Sequence, residues 1–301
     1  MKLIDKILWR GRLLFFESWG KNPRMLFYLL LPSSLTSFLN WEDKINNEII
    51  SILSKNNILK HNQQEKYLES NSFNFKFFYE NFPPLGDFIS IIEPEIIGSK
   101  IIRDNLINYC YQDGPYERDG VRLQRGDVVI DAGANYGLFS IIASKKIGET
   151  GKVFAFEPIL KTREVLFKNI DINARKNIRA FPFSLGNTNG DRKFFLKKGN
   201  LGLSSGVFKL DGIIERVKER TIDNLVKKNK IERIDFIKAD IEGMERNMLI
   251  GAEKTIKKFK PKLSICIYHL PNDPEVLEKI VKEFVPEYNI FKTKSKLYAW
   301  I

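Results

Sequence analysis

The chain has 301 residues, 43% of them hydrophobic and 29% charged, with a net charge of +12. That length holds one large domain, or one domain with an appendage, and 12% aromatics led by phenylalanine exclude a disordered chain. The positive balance favours an anionic partner such as nucleic acid, a phosphorylated sugar or an anionic membrane face, although lysine runs such as 227–230 and 254–262 read equally as solvated helix faces.

In chain order, residues 1–85 form an irregular extension, expected to be mainly helical, ahead of a second domain at 86–301. Segments 3–17 and 24–41 are apolar enough for helices that pack on a neighbour. Trp9, Arg10, Arg12, Phe15 and Phe16 would also suit an interfacial helix, a peripheral membrane contact. No stretch reaches the ~20 apolar residues of a membrane span, and the N-terminus lacks the continuous apolar core of a signal peptide. Cys110 and Cys266 sit in apolar or aromatic stretches, which predicts buried free thiols and a reducing compartment. A cytoplasmic protein is expected. His61, in a polar run, is expected to face solvent.

From residue 95, strand-type and helix-type segments alternate, as in a doubly wound, mostly parallel sheet with helices on both faces. Asp127–Ile130 reads as a strand ending in Asp131, and Tyr136–Ile147 as a helix stopped by Gly148. Lys152–Phe156 is a strand ending in Glu157, Leu160–Ala174 a helix and Ile178–Leu185 a third strand. Residues 191–220 are an insert of extra strands or loops. Thr221 caps a short helix, Ile234–Ala239 is a strand ending in Asp240, and a helix follows through Phe259. Lys262–Tyr268 is the next strand, and Asp273 and Pro274 supply the N-cap and first-turn proline of a helix ending near Phe284. The tail YNIFKTKSKLYAWI reads as a terminal hairpin that ends the sheet antiparallel.

A parallel sheet binds its ligand beyond the carboxyl ends of its strands. Those positions hold Asp131, Glu157, the Ser184–Asn187 turn, Asp240 and His269. In Asp131-Ala-Gly-Ala-Asn-Tyr-Gly137 the glycines let a ligand approach the backbone, and the helix start favours an anion. Asp131 replaces the first glycine of a dinucleotide fingerprint. A carboxylate there opposes a pyrophosphate but suits the ammonium of an amino acid. Glu157 fits a bidentate bond to ribose hydroxyls. S-adenosylmethionine, an amino acid joined to a nucleoside, meets both requirements.

The stretches GPYERDGVRLQRGDVVIDAGANYGLFS, FAFEP, TIDNL and IKADIEGMERNMLIGAEKTI resemble the FkbM family of class I methyltransferases, over residues 110 to 270. The resemblance implies a Rossmann-like class I sheet and O-methylation of hydroxyls on sugars, polyketides and related metabolites. It implies cofactor contacts from Asp131, Gly133, Asn135, Gly137 and Glu157. It also marks Lys238, Asp240, Glu242 and Glu245 as a second signature. The next strand ends SICIYH, with His269 where many relatives carry an acid.

From the residues themselves, Asp240 faces the same crevice as the glycine turn, where it suits cofactor binding or proton acceptance. Glu242 and Glu245 suit the acceptor or the dipole of the following helix. His269 suits a general base near neutrality. Ser204 and Ser205, in the loop NLGLSSG, are candidate acceptor contacts, and Tyr116 and Glu117 could fold over the cofactor. Two histidines and unpaired cysteines point to no transition-metal site, and no dedicated spacing demands Mg²⁺. The expected partner is thus a small-molecule or glycan acceptor. The second reading is a nucleic-acid methyltransferase. Against it stand Asp240-Ile-Glu-Gly in place of an Asn/Asp-Pro-Pro-aromatic tetrad, the misplaced Asn81-Phe-Pro-Pro84 string, and a crevice lined with carboxylates.

Overall fold

The computed structural model describes residues 54, 60–70, 75–79, 116–118, 120–197, 204–207 and 212–301. The expected helices at 3–17 and 24–41, the Trp9–Phe16 face, Asn81–Pro84 and Cys110 lie outside them. Within residues 1–85, the described elements are three strands, β1 (Lys60–Asn62), β2 (Tyr67–Ser70) and β3 (Phe75–Phe78), forming an antiparallel meander.

The main sheet alternates with helices. Its elements are β4 (Val128–Ala132), α1 (Leu138–Ile147), β5 (Lys152–Phe156), α2 (Leu160–Ile172) and β6 (Ile178–Phe181). After an insert come α3 (Ile222–Lys228), β10 (Phe236–Ala239), α4 (Glu245–Ile250), α5 (Glu253–Phe259), β11 (Lys262–Cys266), α6 (Asp273–Phe284), β12 (Asn289–Lys292) and β13 (Lys296–Trp300). The strand order is β12-β13-β11-β10-β4-β5-β6, with β13 antiparallel to both neighbours and β4, β5, β6, β10 and β11 mutually parallel. Buried strands in such a sheet are apolar on both faces, and β10 is buried at every position. The sheet order reverses between β4 and β10, so the crevice opens above the carboxyl ends of that pair.

The expected third strand divides. Pro182, which has no N–H for a ladder bond, separates β6 from β7 (Phe183–Leu185). β7 leaves the main sheet and pairs with β9 (Gly212–Arg220), which also pairs with β8 (Gly190–Lys197). The expected helix through Phe259 also divides, at Gly251, because the chain there lies against another backbone. A Cβ on Gly251 would stand 2.0 Å from the Gly186 carbonyl oxygen. The last helix starts as expected at Asp273-Pro274, but Asn272 occupies the N-cap, and Asp273 Oδ2 accepts from the Leu270 N–H at 2.8 Å. Thr221 does cap α3, accepting from Asn224 N at 3.1 Å.

The meander shares a core with the main sheet. Leu68, Phe75, Phe77 and Tyr79 are buried in the same apolar cluster as Phe139, Ile141 and Phe236. Asn169 of α2 pins it. Its carboxamide accepts from Phe78 N at 2.6 Å and donates to the carbonyls of Phe78 and Tyr136, both at 2.9 Å. His61 is not simply solvent-facing: it is half-buried, stacked on Tyr79, with Nε2 2.5 Å from the tyrosine hydroxyl. Cys266 is a buried free thiol. Lys227, Lys228, Lys254, Lys257 and Lys258 are exposed, as solvated helix faces would be. Among the described residues no helix is long and apolar enough to cross a membrane.

Candidate active site

The site lies where β4, β5, β10 and β11 end. At the end of β4, Asp131 is fully buried, with Oδ2 accepting from Ser140 Oγ at 2.6 Å and Oδ1 3.1 Å from Lys238 Nζ. The two residues are cross-strand partners, β10 against β4. Lys238 also donates to the carbonyls of Gly133 at 2.8 Å and Ala132 at 3.3 Å. Asp131 is thus engaged by a lysine and a serine, and Lys238 closes the glycine turn. Burial explains both, since a buried charge persists only when paired.

The turn itself is tight. Gly133 has φ +75°, and a Cβ there would lie 2.0 Å from the Asp240 carbonyl oxygen. Strands β4 and β10 therefore bring the glycine turn and Asp240 into direct contact. Gly137 also has positive φ and stands at the start of α1. Asn135 takes a left-handed φ of 49°, and its N–H donates to Glu157 Oε2 at 3.0 Å. Its side-chain Oδ1 is buried without a hydrogen-bond partner. Glu157, at the end of β5, also accepts from Ile159 N at 2.9 Å. Burial pushes its carboxyl up to about 7, against the downward pull of those two N–H groups, Arg163 and Lys238.

Asp240 follows β10, its side chain 20% exposed. Tyr116 O–H donates to Oδ2 at 2.8 Å and Tyr268 O–H to Oδ1 at 3.3 Å. Burial acts to raise the Asp240 carboxyl, but the charges of His269, Lys238 and Lys296 and the Tyr116 hydroxyl outweigh it and hold it below the usual range. It stays a carboxylate. The sequence placed Tyr116 near the cofactor without a partner, and Tyr268 was missed. The signal for Tyr268 was its place beside His269 at a strand end.

His269 is caged. Its side chain is 4% exposed, with Nδ1 3.0 Å from Glu245 Oε1 and Nε2 3.6 Å from both Asp240 Oδ1 and Glu242 Oε2. Burial opposes its charge, but Glu245, by charge and hydrogen bond, then Asp240 and Glu242, overcome it and push the imidazole up to about 10. The expected general base thus carries its proton at neutral pH, because three carboxylates surround it. Glu245 stands in the first turn of α4, where an acid suits the helix dipole. It is fully buried at the start of α4, accepting from Ile241 N at 2.9 Å and Gly243 N at 3.0 Å.

The Glu242 side chain is 24% exposed, on a left-handed backbone with φ 51°. The insert reaches it: Ser205 Oγ donates to the Glu242 carbonyl at 2.6 Å. Ser205 and Ser204 are themselves buried, so the loop supports the acidic turn more than it presents hydroxyls to a ligand. Glu117 is drawn away from the crevice, paired with Lys146 at 2.8 Å and accepting from Leu123 N.

The main sheet, with its single reversed strand β13 and its crevice between β4 and β10, is that of the class I methyltransferases. More narrowly, residues 131–289 match the family described as the methyltransferase FkbM domain, and the chain belongs to that family. It is 28% identical over 174 residues to the hexuronic acid methyltransferase AglP of Haloferax volcanii, covering 56% of this chain and 68% of that one. It is 26% identical over 198 residues to the methyltransferase sdnD of Sordaria araneosa, covering 55% and 71%. Against the antimetabolite synthetase AmbE of Pseudomonas aeruginosa it is 27% identical over 190 residues, 50% of this chain but 9% of that protein. Among solved structures, the methyltransferase FkbM from Methylobacillus flagellatus KT aligns with TM-score 0.48 and 22% identity, covering 65% of this chain and 52% of that one. The chain thus spans a small part of AmbE and about half of the Methylobacillus protein.

Proposed function

We propose that this chain transfers the methyl group of S-adenosylmethionine to a hydroxyl of a sugar, a glycan or a related metabolite. The observation that carries the reading is Asp240, a carboxylate held ionised at the strand end that touches the glycine turn. It can accept the proton of an attacking hydroxyl. Likeness to a hexuronic acid methyltransferase favours an oxygen acceptor on a sugar.

The residues fit the cofactor. Asn135 Oδ1 is a buried acceptor with no partner in the protein, which is costly unless something donates to it. The Glu157 oxygens, each already taking one N–H, keep further acceptor capacity for hydroxyls. Gly133, Asn135, Gly137 and Glu157 would hold the ligand, with Asp131 and Lys238 fixing the turn behind them. When bound, S-adenosylmethionine supplies an electrophilic methyl. The chain's contribution is positioning and exclusion of water. Asp240 takes the acceptor's proton, with its carboxylate aimed by Tyr116 and Tyr268. His269, already protonated, keeps positive charge beside it.

The test is incubation of the purified chain with methyl-labelled S-adenosylmethionine and fractionated cell extract. Label is expected in polar glycans or small metabolites, in a form stable to mild base, as a methyl ether is. Label confined to RNA would overturn the sugar, glycan or metabolite acceptor in favour of nucleic acid. Calorimetry should show cofactor binding lost in Glu157→Ala; unchanged affinity would sink the cofactor assignment.

A further inference from the structure

His269 Nε2 is buried, lacks a hydrogen-bond partner and points into the gap between Asp240 and Glu242. We propose that Asp240, Glu242 and His269 form a binding site for one divalent cation of the Mn²⁺ type. One ligand atom from each of the three residues lies within 4.8 Å of the others, and the imidazole Nε2 is 3.6 Å from Asp240 Oδ1 and from Glu242 Oε2. Ligands ~2.1 Å from one ion stand roughly 3.0 Å apart when adjacent in an octahedron and roughly 3.4 Å apart in a tetrahedron. The imidazole nitrogen thus stands within a few tenths of an ångström of ligand spacing from each carboxylate oxygen.

The surroundings are those of a metal-binding imidazole. Such a ring usually donates its other N–H to a carboxylate, which sets the tautomer and the ring plane. Here Nδ1 lies 3.0 Å from Glu245 Oε1, and Glu245 is itself fixed by the N–H groups of Ile241 and Gly243. Asp240 Oδ1, which takes only the longer hydroxyl contact, from Tyr268 at 3.3 Å, keeps a lone pair for an ion, while Oδ2 takes the Tyr116 hydroxyl at 2.8 Å. Glu242 reaches the imidazole from a left-handed backbone, φ 51°. Its carbonyl is pinned by Ser205. Two carboxylates and one imidazole suit Mn²⁺, and leave coordination positions for water or a substrate oxygen. A cation seated there takes the place of the Nε2 proton as the charge that balances the carboxylates. Its use in orienting an acceptor hydroxyl rests on the O-methyltransferase reading; its binding does not.

The experiment uses the full chain, stripped with a chelator that is then removed, and titrated with Mn²⁺ alone. Electron paramagnetic resonance follows free Mn²⁺, and its pulsed form detects nitrogen modulation from a ligating imidazole. One Mn²⁺ per chain with nitrogen modulation is expected. Glu242→Gln and His269→Asn should each weaken binding at least ~10-fold, and Glu245→Gln ~10–100-fold through loss of the carboxylate behind the ring. No binding at millimolar Mn²⁺, binding without nitrogen modulation, or unchanged affinity in Glu242→Gln would overturn the site. The nitrogen signal is read on the unaltered chain and Glu242 is partly exposed, so the test survives misfolding of a His269 variant. Cofactor calorimetry in the presence of chelator is run separately, so loss of one reading is told apart from loss of the other.

Discussion

Replacing Lys238 by methionine tests whether this lysine is a structural tie. In the folded chain its ammonium stands 3.1 Å from Asp131 Oδ1 and donates to the carbonyls of Gly133 and Ala132. Its side chain is 5% exposed and that of Asp131 is not exposed at all. Methionine is of similar length but removes the ammonium, which also lies over the Tyr116 and Phe139 rings, and strands a buried carboxylate. Breaking a buried pair from one side costs ~3–5 kcal/mol, a large share of the ~5–15 kcal/mol that holds a domain folded. Urea unfolding followed by circular dichroism should show that loss. Adding Asp131→Asn should recover most of it, because the stranded charge is gone while Ser140 keeps a partner. The coupling between the two sites should exceed ~2 kcal/mol. If Lys238→Met unfolds at the urea concentration of the unaltered chain, or if the two changes simply add, the lysine is not the tie described.

Glu157 binds a proton more tightly folded, at about 7, than its ordinary value of 4.5. A raised folded value gives stability that is full below ~4.5 and is lost as pH rises through ~7, at most about 3 kcal/mol. Glu157→Gln should therefore gain stability relative to the unaltered chain at pH 8 compared with pH 5; urea midpoints that move in parallel across that range would refute the assignment. Asn169→Ala removes the bonds to Phe78 and Tyr136 and should cost ~1–3 kcal/mol. Hydrogen exchange at the Phe78 amide should quicken first, and unchanged protection there would count against the pin. Gly133→Ala forces a Cβ onto the Asp240 carbonyl at positive φ. The strain and the overlap together predict a loss of ~2–5 kcal/mol, read by thermal unfolding, and a neutral substitution would mean the turn is looser than described.

The sheet was legible because buried parallel strands announce themselves as short apolar runs, and their ends could be counted. Asp131, Glu157, Asp240 and His269 were singled out on that ground, and the structure gathers Asp240 and His269 into one cluster. Their partners were not legible. That Lys238 faces Asp131 depends on strand register between segments far apart in the chain, which no local pattern encodes. That His269 is ringed by acids depends on how the start of α4 sits over the end of β11. A histidine's charge is set by such neighbours, and its residue type alone does not show the three carboxylates that raise its proton affinity. Pro182 did carry a readable break, overridden by the apolar run around it. The meander was hidden because its strands are three or four residues long.

Asn169 fastens the meander to α2 across 91 residues of intervening chain. On a ribosome adding ~5–20 residues per second, β3 emerges roughly 5–20 seconds before its anchor exists. During that interval Leu68, Phe75 and Phe77 have no sheet to cover them. The meander is thus made before its anchor and can settle only once α2 has been synthesised.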